Sequence, residues 1–378
     1  MNRYIYVDNS STTRLNESVL YKMLPYLKEN YGNASTTYSL GKISRKAIEE
    51  SRKKIAKCIN ANPEEIYFTA SGTESDNMAI QGIAHKYMYK GKHIITSNIE
   101  HLAVLNTCKK LELEGFEVTY VETQRNGIID IEKIKEAIRE DTILISIMYV
   151  NNEIGTIQNI QEISKLAKEK GIIFHTDAVQ AMPHLKIDVK DIDALTMSAH
   201  KFNGPKGVGA LYLKDGININ NVICGGHQEN GIRPGTENVA GIVGMAEALE
   251  ITTNNLDKNN KKEKALRDYL YNMLNSEIKG ITINGDKERR INSNINISID
   301  GVDSPELMLF LDMNGICASG GSACNSSQKE LSHVLKAIGQ ENTALRITLS
   351  SENTIYDIEK IVYVMKRSVN IIRNKKNN

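Results

Sequence analysis

The chain has 378 residues, 40% of them apolar and 25% charged, the balance of an ordinary globular protein of roughly two domains at about 150 residues each. Its 47 Lys and Arg against 46 Asp and Glu leave a formal net charge of +1, so no global field favours a nucleic acid or a membrane surface. The longest apolar stretch, Ile143 to Val150, is broken by Ser146 and is too short to span a bilayer.

Met1-Asn2-Arg3-Tyr4 carries no apolar signal-peptide core, so the expected location is cytoplasmic. The five cysteines, Cys58, Cys108, Cys224, Cys317 and Cys324, include no CxxC pair; they read as reduced thiols, with no structural metal site expected.

From residue 92 the chain alternates strand-like and helix-like segments. Lys92–Ser97 reads as a strand, Leu102–Glu114 as a helix ended by Gly115, Phe116–Val121 as a strand and Asp130–Arg139 as a helix. Thr142–Val150 reads as a buried strand, Ile160–Lys170 as a helix stopped by Gly171, and Ile172–Thr176 and Ala194–Met197 as strands. Strands separated by such helices predict right-handed βαβ units and a mainly parallel sheet. A helical stretch follows from Val239 through Leu274; its polar centre, Thr252–Lys264, is a solvated face or a linker and marks a domain boundary. Ile281–Ile283 and Ile295–Ile299 then alternate like strands, and Pro305–Met313 reads as a helix, so a smaller α+β domain is expected there. Arg373–Asn378 reads as a frayed polar tail.

Several segments carry chemistry. In Ser198-Ala199-His200-Lys201 a lysine leaves a strand, where partial desolvation suits it to Schiff-base formation; the alternative is a solvated loop lysine. Gly72-Thr73 opens a helix, offering N–H groups and a hydroxyl to an anion, or else simple capping by Ser71 or Thr73. Asp177 and Gln180 follow a parallel strand, where side chains face a ligand crevice. His101, at another strand-to-helix junction, can stack on a ring or move protons, or be structural. Cys324 lies in a Gly/Ser-rich run, as a nucleophile on a mobile arm would, whereas Cys317 reads as buried packing. Arg346, between Leu345 and Ile347, can grip a carboxylate or form an edge-strand salt bridge. Together these are an imine-forming lysine, a carboxylate for a ring nitrogen, phosphate donors, an anion-binding arginine and a thiol; the first three suit pyridoxal 5'-phosphate, the fourth an amino acid.

Tyr6-Val7-Asp8-Asn9, Gly72-Thr73-Glu74-Ser75-Asp76-Asn77, Glu100-His101, Gln124-Arg125-Asn126-Gly127, Val150-Asn151-Asn152-Glu153-Ile154-Gly155, Asp177-Ala178-Val179-Gln180, His200-Lys201, Gly235-Thr236-Glu237-Asn238 and Gly321-Ser322-Ala323-Cys324 span nearly the whole chain. In these motifs the sequence resembles the group I cysteine desulfurases of the nitrogen-fixation and iron–sulfur-cluster type, in the class V aminotransferase superfamily. The resemblance implies a fold type I pyridoxal-phosphate enzyme: a large domain over residues 15–250 with a mainly parallel seven-stranded sheet, and a small domain from residues 1–14 and 251–378 carrying a mobile loop at about 315–332. It implies Lys201 as the cofactor's imine partner, Asp177 at the pyridinium nitrogen, Gln180 at the ring hydroxyl and His101 stacked on the ring. Gly72, Thr73, Ser198 and His200 would hold the phosphate, joined by Thr236 from the neighbouring subunit of a homodimer. Asn151 would contact cofactor and substrate, Arg346 the substrate carboxylate, and Cys324 would accept sulfur from L-cysteine as a persulfide. An iron–sulfur scaffold protein or another acceptor, such as a carrier for tRNA thiolation, would then take it, with no direct nucleic-acid or membrane partner and no metal. A selenocysteine lyase, another class V aminotransferase and a non-catalytic scaffold are the competing readings. Ser11, Tyr38, Gly321 and Leu331 depart from the usual alanine, histidine, serine and proline, which bears on loop dynamics and partner choice.

Overall fold

A computed structural model describes residues 4–320 and 331–377 of the chain. A short strand, β1 (Ile5–Tyr6), comes first. The main sheet then takes β2 (Ile66–Thr69), β3 (His93–Ser97), β4 (Glu117–Val121), β5 (Thr142–Ser146), β6 (Ile173–Asp177), β7 (Ala194–Ser198) and β8 (Gly209–Leu213). Their order is β2-β8-β7-β6-β5-β3-β4. All pairings are parallel except those of β8, which runs against both β2 and β7. The expected mainly parallel seven-stranded sheet is therefore present, with one antiparallel strand inserted. β3, β5, β6, β7 and β8 are buried at every position, as strands covered on both faces are.

After the sheet come helices Val239–Asn254 and Leu256–Glu277, meeting at Asn255. The polar centre of this stretch is a solvated helix face, with Glu263 alone among its charged residues buried. A second, three-stranded sheet takes β9 (Ile281–Ile283), β10 (Asn294–Ile299) and β12 (Ala344–Thr348) in the antiparallel order β12-β10-β9, and β11 (Ile316–Cys317) pairs with β1 in parallel as a separate two-stranded sheet. The final helix, Ile355–Asn377, corrects the expected frayed tail. Its end is tied down by Arg373, which donates to the carbonyls of Asp300 and Lys279, and by the Lys375–Glu306 pair. Cys317 is half-buried on β11 rather than part of a core.

Each sheet has its own apolar core. Phe174, Leu195, Met197 and Phe202 belong to the first; Ile295, Ile297, Leu345 and Ile347 to the second. The seam between them is polar. Asn294 and Asn296 of β10 donate to the Glu153 carbonyl, and Arg290 donates to the Ile154 carbonyl. This fixes the turn after β5 against the second sheet.

The segment between β8 and helix Val239–Asn254 is held by a buried ion pair. Glu229 receives two hydrogen bonds from Arg52, both at 2.8 Å, and a third from the Phe68 N–H of β2. Glu229 adopts φ 46°, a conformation that the three bonds over-determine. Removing one partner of a buried pair leaves the other charge uncompensated. Glu229→Ala is therefore expected to lower unfolding stability by about 3 kcal/mol, read from the shift in a urea denaturation midpoint.

Candidate active site

Loops leaving the carboxyl ends of the parallel strands converge on one cavity of about 280 Å³, lined by Thr73, His101, Asp177, Lys201, His333 and Arg346 among others. This is where a doubly wound sheet places ligands. β6 delivers Asp177 as its last residue and β7 delivers Ser198. Lys201 closes a 3-10 turn, Ala199–Lys201, directly after β7.

That turn is fixed by the N-terminal segment. The His200 carbonyl accepts from the Thr13 N–H and hydroxyl, both at 2.9 Å. The Lys201 amine donates to the carbonyls of Ser10 and Ser11 at 2.5 and 2.8 Å. Gln180 donates its side-chain N–H to the same Ser10 carbonyl at 2.8 Å.

Asp177 is buried, and one of its oxygens accepts the Val179 N–H at 2.9 Å. Burial pushes its carboxyl up, while His101 and Lys201 pull it down. A protonated ring nitrogen set against it would add an opposite charge and favour the ionised form. His101 caps helix Leu102–Leu113: its Nδ1 accepts the Ala103 N–H at 3.1 Å. The lone pair of the neutral ring therefore faces the helix, and Nε2 carries the hydrogen. Burial and the Lys201 charge hold His101 below its ordinary pKa, against the pull of Asp177.

At one end of the cavity, Ser71 caps helix Gly72–Tyr87 by accepting the Glu74 N–H, leaving the first N–H groups of that helix beside Thr73, Ser198 and His200. A Cβ on Gly72 would lie 2.8 Å from a Val179 methyl, so only glycine permits this approach. Burial, reinforced by Lys201 and Lys206, lowers His200 to about 4, which keeps it neutral at pH 7. A helix N-terminus flanked by hydroxyls suits a phosphate, and with Lys201 and Asp177 this donor set fits pyridoxal phosphate.

At the other end stands Arg346, on β12 and 1% exposed. It lines the cavity, and it pairs with Asp8 at 2.8 Å. The same Asp8 oxygen accepts from the hydroxyls of Ser11 and Ser319 at 3.0 and 2.9 Å. Three donors thus converge on one carboxylate oxygen. Ser11, one of the departures from the family pattern, is part of this receptor.

Asn151 and Thr236 stand outside this cavity's lining. The Asn151 side chain donates to the Ile99 carbonyl and accepts from the Glu153 and Ile154 N–H groups. It braces the turn, and its neighbours Asn152 and Glu153 line the cavity instead. Thr236 is exposed and borders a separate crevice with Arg233 and Glu237. Cys324 lies outside the described residues.

Two features were not anticipated. His333 lines the cavity from the short helix His333–Ala337; a lone histidine in an apolar stretch gives no periodic signal. A buried polar chain also lies behind Asp177. His175, two residues earlier on β6, is fully buried between the Ser146 and Thr196 hydroxyls at 2.8 and 3.1 Å. Its Nε2 is 3.7 Å from Asp76, and burial lowers the ring to about 3.

Comparison with known proteins follows this geometry. The aminotransferase class-V family matches residues 5–361. A cysteine desulfurase IscS from Clostridium botulinum is 48% identical over 377 residues, 98% of this chain and 95% of the relative. One from Methanosarcina thermophila is 48% identical over 379 residues, 99% of this chain and 94% of the relative. Among solved structures, a NifS-like protein superposes with a TM-score of 0.92 at 34% identity, covering 98% of this chain and all of that one. A structure described as SspA in complex with cysteine gives 0.82 at 36% identity, covering 93% of this chain and 100% of that one.

The buried histidine sets a pH dependence. His175 has a folded pKa of about 3, and an unfolded histidine titrates near 6.5. Between these values the unfolded chain binds a proton that the folded chain does not, so stability falls as pH falls below about 6.5. From pH 7 to 5 this amounts to about 2 kcal/mol. Urea unfolding at the two pH values should show a His175→Gln variant flatter than the parent by about that amount.

Proposed function

The chain belongs to the class-V aminotransferase family and is a pyridoxal-phosphate-dependent cysteine desulfurase, and from this we propose the roles of its residues. The observation that carries the assignment is one cavity lined together by Lys201, Asp177, the first residues of helix Gly72–Tyr87 and Arg346. The overall conversion is enzyme thiol plus L-cysteine to enzyme persulfide plus L-alanine.

Bound here, pyridoxal phosphate would supply an electron-withdrawing ring that acidifies the α-carbon of the amino acid joined to it. Lys201 would join the cofactor, and its amine would remove and return protons at the substrate α-carbon. Asp177 would hold a proton on the ring nitrogen, His101 would pack against the ring and Gln180 would meet the ring hydroxyl. Gly72, Thr73, Ser198 and His200 take the phosphate, and the neutral state of His200 makes it a hydrogen-bond donor there rather than a second cation. Arg346 binds the substrate carboxylate. Asn151 orders the turn beside the substrate, and direct contact requires it to give up one of its present bonds.

Cys324 is the sulfur acceptor. Its thiolate attacks the substrate sulfur; an S–S bond forms, the C–S bond breaks with its pair moving to carbon, and that carbon becomes the methyl group of alanine after taking a proton. The enzyme works as a homodimer in which Thr236 completes the neighbouring subunit's phosphate site. In support, Thr236 is exposed and outside its own chain's cavity. The sulfur passes to an iron–sulfur scaffold protein or a thiolation carrier in the cytoplasm. Among the described residues no helix is long and apolar enough to cross a membrane.

Two substitutions test this. Cys324→Ala should keep the visible absorption of the bound cofactor and lose sulfide release from L-cysteine; release at the parent rate would remove Cys324 from the mechanism. Lys201→Ala should abolish borohydride trapping of the cofactor on the chain, as judged by peptide mapping, and trapping at another lysine would overturn the assignment.

A further inference from the structure

We propose that His333 is a second acid–base residue of this site, its Nδ1 accepting the thiol proton of bound L-cysteine. The inference rests on the desulfurase reading and deepens it. His333 Nε2 lies 2.9 Å from the carbonyl of Glu100. A carbonyl only accepts, so Nε2 carries the hydrogen and the lone pair of the neutral ring sits on Nδ1. The ring lines the cavity, is half-buried, and its Nδ1 makes no hydrogen bond among the described residues.

His101 is arranged the opposite way. Its Nδ1 lone pair is taken by the Ala103 N–H, so the nitrogen left to the cavity is a donor. His200 is held near the phosphate end with its Nδ1 against the Thr12 hydroxyl. Of the three histidines in the cavity lining, His333 is the one whose basic nitrogen no described residue engages.

The position is also braced. Ser332, the residue before it, donates to Glu153 at 2.6 Å and caps the helix by accepting the Leu335 N–H. The charged and titratable groups around the ring are Glu153 on the turn after β5, Glu100 and His101 before helix Leu102–Leu113, Lys201 and Asp177 across the cavity, and Arg346 on β12. The step is a simple transfer: the proton leaves sulfur for Nδ1, the electron pair stays on sulfur, and His333 becomes an imidazolium. A free thiol titrates near 8.5 and so keeps its proton near neutral pH, where an acceptor matters most.

The test compares parent and His333→Gln, both loaded with cofactor. Glutamine keeps an N–H for the Glu100 carbonyl but cannot take the proton. At pH 7, kcat/KM for alanine formation should fall at least about tenfold. The deficit should close toward pH 9, where the substrate thiol ionises without help. L-Alanine binding, read from the cofactor's visible spectrum, should stay within about twofold of the parent, because the product has no thiol. A deficit equal at every pH, no deficit at pH 7, or a matching loss of alanine binding would overturn the assignment. A parent that forms no alanine from L-cysteine would overturn the desulfurase reading and this proposal together; an active parent tracked by the variant overturns the proposal alone.

Discussion

The amine of Lys201 is held by two backbone carbonyls from a segment nearly two hundred residues away in sequence, and the site depends on that tie. Residues 8 to 13 cross from the second sheet to the first. On the way they present carbonyls to Lys201 and Gln180, a carboxylate and a hydroxyl to Arg346, and Thr13 to the turn that carries Lys201. Lysine comes from the first sheet and arginine from the second. Their common partner is this one stretch of chain, so Lys201 and Arg346 are positioned by the same backbone.

Electrostatics follow from burial at this junction. Asp76, Glu100 and Asp177 are all buried beneath or beside the cavity, and burial raises each carboxyl; Glu100 reaches about 8. Desolvation drives the histidines the other way, so His101, His175 and His200 are uncharged rings at neutral pH. The cavity therefore favours a cation near Asp177 and offers neutral donors where an anion would lie. That division suits a cofactor with a protonated heterocycle at one position and a phosphate at another.

Much of this was legible in the sequence because short strand-like segments alternate with helical ones that end at Gly115 and Gly171. Chemistry-bearing residues at strand ends, such as Asp177 and Lys201, could be placed by that alternation. The antiparallel β8 could not, because direction within a sheet leaves no mark on an apolar run. Nor could the long-range partners of Arg346, since nothing local connects Asp8 and Ser319 to residue 346. His333 was invisible for a related reason: its significance is a tautomer fixed by a carbonyl more than two hundred residues earlier. The resemblance supplied residue roles that periodicity alone left open, and the structure adds that the Asn151 side chain is bonded to Ile99, Glu153 and Ile154.

The convergence of three donors on the Asp8 carboxylate has a consequence for how the pocket meets its ligands. The guanidinium is never a bare buried cation between turnovers, because an intramolecular anion already answers it. A carboxylate arriving beside Arg346 would meet a neutralised pair, so its attraction would be governed by the directions of N–H and O–H groups more than by net charge. Recognition beside this arginine would thus be geometric rather than driven by a long-range pull.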